Sequence, residues 1–153
     1  PYTGATIDTG TKVLLAGYPA GFLSGATIQS NLYSSSALTS IGQVYTFVDG
    51  GGADLFSVGG TVRSQKGSSG GAVVREDNKQ LTGLIVTSST ADTTAERDLR
   101  AITLRHVNQS IIENTGTSLT SYLIGDLVAK AAAFNLNNVP TLAKMFTKVL
   151  DSQ

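Results

Sequence analysis

The chain has 153 residues, 41% hydrophobic and only 14% charged, with eleven basic residues balanced by eleven acidic ones. Zero net charge gives no electrostatic reason to expect nucleic acid or an anionic membrane as a partner. With no cysteine, a disulfide framework, a thiolate zinc site and thiol chemistry are excluded, and no long apolar run offers a membrane-spanning helix.

A chain of this length buries one sound core, here expected as one domain with an appendage. Abundant Gly, Ser and Thr lean toward an exported β protein, extracellular or periplasmic. The chain opens on Pro1 and has no basic-then-apolar leader, which reads as a processed or excised chain with a segment missing upstream.

The first hundred residues have a β pattern. Lys12 to Ala16 is a short apolar run closed by the turn sequence Gly17-Tyr18-Pro19-Ala20-Gly21. Thr27 to Tyr33 sets Ile28, Ser30 and Leu32 in alternation with polar neighbours, as a half-buried strand would. Ile41 to Val48 is a further strand candidate, ended by Asp49-Gly50-Gly51-Gly52. Val73-Val74 and Leu81 to Val86 flank a polar loop, Arg75 to Gln80, of hairpin type. Short strands joined by glycine-rich turns predict an antiparallel barrel or sandwich.

The tail reads as helical. Thr103 is placed to cap a helix carrying Val107, Ile111 and Ile112, with Gly116 as its stop. A second helix is predicted from about Ser121 to Phe134. A third is predicted from near Pro140, a residue suited to a first turn. Leu142, Met145, Phe146, Val149 and Leu150 form one apolar stripe on that helix, read as core packing, with partner binding as the alternative.

The chemistry concentrates in Lys66-Gly67-Ser68-Ser69-Gly70-Gly71, directly ahead of the apolar run Ala72-Val73-Val74. A serine between glycines on a tight turn exposes a nucleophilic hydroxyl, with bare backbone N–H groups beside it to hold an oxyanion. Such a serine needs a histidine base and an orienting carboxylate. The chain has one histidine, His106, at the start of the predicted closing helix. It reads as an exposed or helix-terminal residue, and Asp8, Asp49 and Asp54 read as turn residues. A serine elbow of the α/β-hydrolase kind is set aside, because a strand follows Ser69 where that elbow needs a helix.

Gly67-Ser68-Ser69-Gly70-Gly71 resembles the nucleophile motif of the trypsin-like, chymotrypsin-fold serine peptidases, and neighbouring segments resemble that family in order. Lys12 to Gly21 is similar to the strand and Gly-Tyr-Pro-x-Gly turn that open the second barrel in bacterial members. Leu81 to Val86 resembles the strand after the nucleophile. Leu99 to Thr103, then Val107 to Ile112, resembles the last barrel strand and closing helix. The likeness spans about residues 10 to 114.

The resemblance implies a mainly β chain. It would be a single antiparallel Greek-key barrel, the second half of a trypsin-like double barrel, over residues 1–116. A helical C-terminal extension would follow over 117–153. Ser69 would be the nucleophile, with the N–H groups of Gly67 and Ser69 as oxyanion hole. Gly70 and Gly71 would allow a neighbouring strand to approach closely.

Val86, Thr87 and Ser88 would offer backbone groups to an extended peptide or protein substrate by strand addition. Arg63 would lie near the primary specificity pocket, where it would favour an acidic side chain, and Lys66 beside the oxyanion turn; the alternative for both is a solvated cation. Ser68 stands where animal digestive members carry the aspartate that receives a freed amino terminus on activation. No cofactor or metal is called for, and the implied partner is the N-terminal barrel carrying the catalytic His and Asp. The alternative is a non-catalytic barrel acting as a peptide- or protein-binding module.

Overall fold

A computed structural model describes residues 6–18, 33–59, 67–88 and 98–152. The chain divides into two compact units, Pro1–Leu119 and Thr120–Gln153. The predicted strand over Thr27 to Tyr33 lies, but for Tyr33, outside the described residues.

The first unit is built on a seven-stranded antiparallel sheet. Its strands are β1 (Lys12–Gly17), β2 (Ser35–Ser40), β3 (Val44–Tyr45), β4 (Leu55–Ser57), β5 (Ala72–Arg75), β6 (Leu81–Ser88) and β7 (Leu99–Thr103). Their order across the sheet is β2-β1-β5-β6-β7-β4-β3. Alternation sets the inward face: Val13 and Leu15 on β1, Val73 on β5, and Leu99 and Ala101 on β7 are all buried. With Ile41, Phe56, Val58 and Ile85 they form one core, against which Ile7 packs.

The closed barrel expected from the sequence is corrected to a sheet whose ladder, among the described residues, does not join its two ends. Those ends, β2 and β3, are nonetheless separated by only three residues of chain. Four Cα steps span at most about 14 Å, whereas the edges of a flat seven-stranded sheet lie roughly 29 Å apart. The sheet is therefore strongly curled. Backbone bonds at the crossing hold the curl: Ile41 N–H donates to Thr11 O at 2.9 Å, and Gly42 N–H to Ser57 O at 2.8 Å.

The strand-and-hairpin expectations for β1, β5, β6 and β7 match the structure within a few residues. Two differences stand out. Of the run Ile41 to Val48 only Val44–Tyr45 pairs as strand, and Phe47 and Val48 are exposed. β4, centred on the fully buried Phe56, was not foreseen.

Helix α1 (Leu104–Thr115) follows β7 directly. Thr103 is its N-cap, with Oγ1 accepting the His106 N–H at 3.0 Å. Gly116 closes it at φ 71° and donates to Ile112 O at 2.8 Å.

The remaining helices are α2 (Leu119–Leu123), α3 (Leu127–Asn137) and α4 (Val139–Leu150). The single helix predicted over 121–134 is thus two. Gly125, at φ 90°, breaks it, and the Asp126 carboxylate restarts it by accepting the N–H groups of Val128 and Ala129 at 2.9 and 3.0 Å. Pro140 sits in the first turn of α4, as its fixed φ and missing N–H allow. Among the described residues no helix is long and apolar enough to cross a membrane.

Candidate functional site

Residues Ser68 to Gly71 form a four-residue turn, closed by the Gly71 N–H donating to Ser68 O at 3.0 Å. Gly70 occupies its third position at φ 86°, the left-handed value a type II turn demands there. Gly67, at φ 91°, sets the entry. Ser68 is thereby turned inward and buried, while Ser69 projects from the corner into solvent.

Gly71 answers to a different constraint. A Cβ there would lie 2.8 Å from both Ala16 O and Ser68 O, so only glycine lets the turn lie against the end of β1. Reciprocal bonds tie the turn to β6: Gly70 N–H to Ile85 O and Ile85 N–H to Gly71 O, both at 2.8 Å.

The Ser69 hydroxyl reaches Val86 O at 3.5 Å, at the outer limit of a hydrogen bond, so the contact does little to hold it. Among the described residues neither the Gly67 N–H nor the Ser69 N–H has an acceptor. Both residues are exposed. They border an open depression of about 460 Å³ lined also by Gly17, Tyr18, Ser34 and Ala72. Tyr18 and Ser34 were not singled out in the sequence; the Gly17-Tyr18-Pro19 turn was the available signal for Tyr18.

β6 presents its backbone beside this turn. Its pairing with β5 ends at Leu84, and its register with β7 slips between Ile85 and Thr87, leaving Val86 as a bulge. Thr87 and Ser88 pair with Arg100 and Leu99 of β7. On the opposite side of residues 86–88 no strand is paired among the described residues. The structure thus brings Gly67, Ser69 and Val86 together, with Thr87 and Ser88 continuing the same edge. Arg63 and Lys66 lie outside the described residues.

His106 is elsewhere. Thr103, the cap of its helix, pairs with Gly83, whereas Ser69 meets β6 at Val86. Three residues of strand separate those points by about 10 Å, and the His106 ring is held at Asp54, just ahead of β4 and on the far side of β7 from β6. His106 is thus beyond hydrogen-bond reach of Ser69.

The ring of His106 instead bonds Asp54, Nδ1 to Oδ1 at 2.9 Å. An ionised carboxylate only accepts, so Nδ1 carries the proton. Asp54, read from the sequence as a turn residue, is buried and fully engaged. Oδ2 accepts the Phe47 N–H at 2.8 Å, and Oδ1 also accepts from Arg105 Nη2 at 2.5 Å. Burial pushes the Asp54 pKa up, but the Phe47 N–H, the His106 bond and the Arg105 charge outweigh it and hold the carboxyl below its usual range. No local signal in the sequence pairs residues 52 positions apart.

Among the described residues no cluster of His, Asp and Glu side chains is arranged to hold a metal ion. No protein-family model matches the chain, and no curated protein matches it.

Proposed function

We propose that the chain is the nucleophile-bearing half of a trypsin-like serine endopeptidase, its sheet corresponding to the second Greek-key barrel of that fold. The observation that carries this reading is the Gly67–Gly71 turn. It projects one serine into solvent, buries its neighbour, and leaves two backbone N–H groups without acceptors among the described residues, beside an open depression.

In this reading Ser69 Oγ attacks the scissile carbonyl as its proton passes to the base. The peptide C–N bond then breaks, the amine leaves with that proton, and the acyl group stays on Ser69 as an ester. The Gly67 and Ser69 N–H groups take the charge that develops on the carbonyl oxygen. Loss of one such donor typically raises the barrier by about 2.7–4 kcal/mol. The unpaired side of Val86 to Ser88 would receive the substrate as an added strand. The base and its orienting carboxylate would come from the N-terminal barrel of the same peptidase, because His106 is committed to Asp54. Without them Ser69 keeps its proton, and the most to expect is a residual acceleration of about 10³–10⁴ over water.

A second reading, a peptide- or protein-binding module, is favoured by that same commitment of His106. Fluorophosphonate labelling separates the two. The peptidase reading expects labelling of Ser69 when the chain is paired with a trypsin-like first barrel, abolished in Ser69→Ala. A paired complex that binds peptide but never labels would establish the module.

A further inference from the structure

Unit 2, taken by itself, is a helical hairpin with no buried residue among those described. Pieces of chain shorter than about 40 residues need a disulfide, a metal or association to hold a fold. Residues 120–153 contain no cysteine, so a disulfide is ruled out by composition, and among the described residues no group of His, Asp and Glu side chains is arranged to hold a metal ion.

The hairpin's surface is that of an interior. α4 exposes its whole apolar stripe, with Met145 at 60%, Phe146 at 68% and Leu150 at 71%, while Lys144, Lys148 and Asp151 lie on the opposite face. α3 carries exposed apolar residues on more than one face, Val128, Phe134 and Leu136, with Asn135 and Asn137 polar among them. Its one charged side chain, Lys130, turns back to donate to Tyr122 O and Ile124 O at 2.9 and 2.6 Å. A helix with apolar residues on more than one face buries them only with neighbours on more than one side, and a two-helix hairpin supplies only one.

We propose that this hairpin associates with a second copy of itself as an antiparallel four-helix bundle. Two hairpins related by a two-fold axis give each helix a second neighbour. An axis passing between Met145 and Phe146 sets Leu142 against Val149 of the partner subunit and Met145 against the partner's Phe146. At roughly 60–120 Å² for each fully buried side chain of this size, the large apolar residues of α3 and α4 approach the about 800 Å² that each partner contributes to a standard interface. Zero net charge puts no long-range repulsion between two copies.

The test is sedimentation of the full chain from low to high micromolar concentration, with Met145→Glu/Phe146→Glu alongside. Expected is a concentration-dependent dimer that the double variant weakens about 30-fold or more. The cysteine-free chain permits a second measurement that does not depend on a destabilised variant. Met145→Cys should form a disulfide-linked dimer readily, and Lys144→Cys, on the opposite face, should not. Three outcomes overturn the proposal: a monomer throughout, whether its helices fold back on the rest of the chain or bind lipid vesicles; a dimer indifferent to the double variant; or cross-linking equal at both cysteines.

Discussion

His106 donates a hydrogen bond from Nδ1 to Asp54 Oδ1 across 2.9 Å, and the bond fastens the start of α1 to the segment that enters β4. Arg105 reinforces the junction through Ala53 O and Gly52 O at 3.1 and 2.9 Å, and the Phe47 ring stands edge-on to the imidazole at 5.0 Å. An Asp–His pair that in another setting would drive a nucleophile is here used to join two pieces of the fold.

Removing His106 should therefore cost stability and leave the chemistry alone. In a complex of the chain with a trypsin-like first barrel, His106→Gln should label with fluorophosphonate at the rate of the unmodified chain. Its denaturation midpoint should drop. A loss of labelling that outruns the loss of folded protein would put His106 in the reaction and contradict its placement.

Asp54 should govern acid stability. Its folded pKa lies below the unfolded value. Its contribution is thus complete above the ordinary carboxylate pKa near 3.9 and is lost as pH falls through the lower, folded value. Urea titrations from pH 7 to pH 2 should show an acid limb that flattens in Asp54→Asn. At neutral pH Asp54→Ala should cost about 1.5–3 kcal/mol, the range for losing hydrogen bonds to a charged group, because Arg105 and His106 keep access to water when the carboxylate is gone.

The two glycines that close the serine turn should differ in cost. Gly70→Ala meets no atom within 4 Å and has only its positive φ to resist, about 1–2 kcal/mol. Gly71→Ala drives a Cβ onto two backbone carbonyl oxygens and should cost more, displacing the turn from β1. Thermal melting should rank Gly71→Ala below Gly70→Ala, and the reverse order would mean that φ, not close approach, fixes this turn.

Thr103 is 1% exposed, and its hydroxyl serves twice, accepting the His106 N–H and donating to Ala53 O at 2.9 Å. Thr103→Ala should cost about 2 kcal/mol, the upper end for a cap, and Thr103→Ser should recover most of it. Equal losses in the two variants would assign the effect to the methyl group and its packing.

What the sequence made legible was local. The Thr103 cap and Gly116 stop lie within one helix, β7 carries its own alternation, and the Gly67–Gly71 turn is written in its glycines. What escaped was decided at long range or by very short segments. β4 has three residues, too few for a period. β2 is Ser-Ser-Ala-Leu-Thr-Ser, a polar run that becomes a strand by pairing with β1 from Lys12 to Gly17. The helix predicted through 125 ignored Gly125-Asp126, a stop and a cap side by side. Asp54 looked like a turn residue because Phe47 meets it only once the β3–β4 hairpin closes, and Arg105 and His106 only after β4 has docked on β7.

The curled sheet has one more consequence, and it concerns unfolding. An open sheet ordinarily loosens from its outer strands, one margin independently of the other. Here both margins belong to the continuous stretch from Ser35 to Tyr45, so peeling β2 from β1 pulls on β3 through a tether of three residues. The amides at the two margins should then lose protection together, at a free energy near that of the whole unit. A sheet whose outermost strands are neighbours in the chain has no loose end from which to fray.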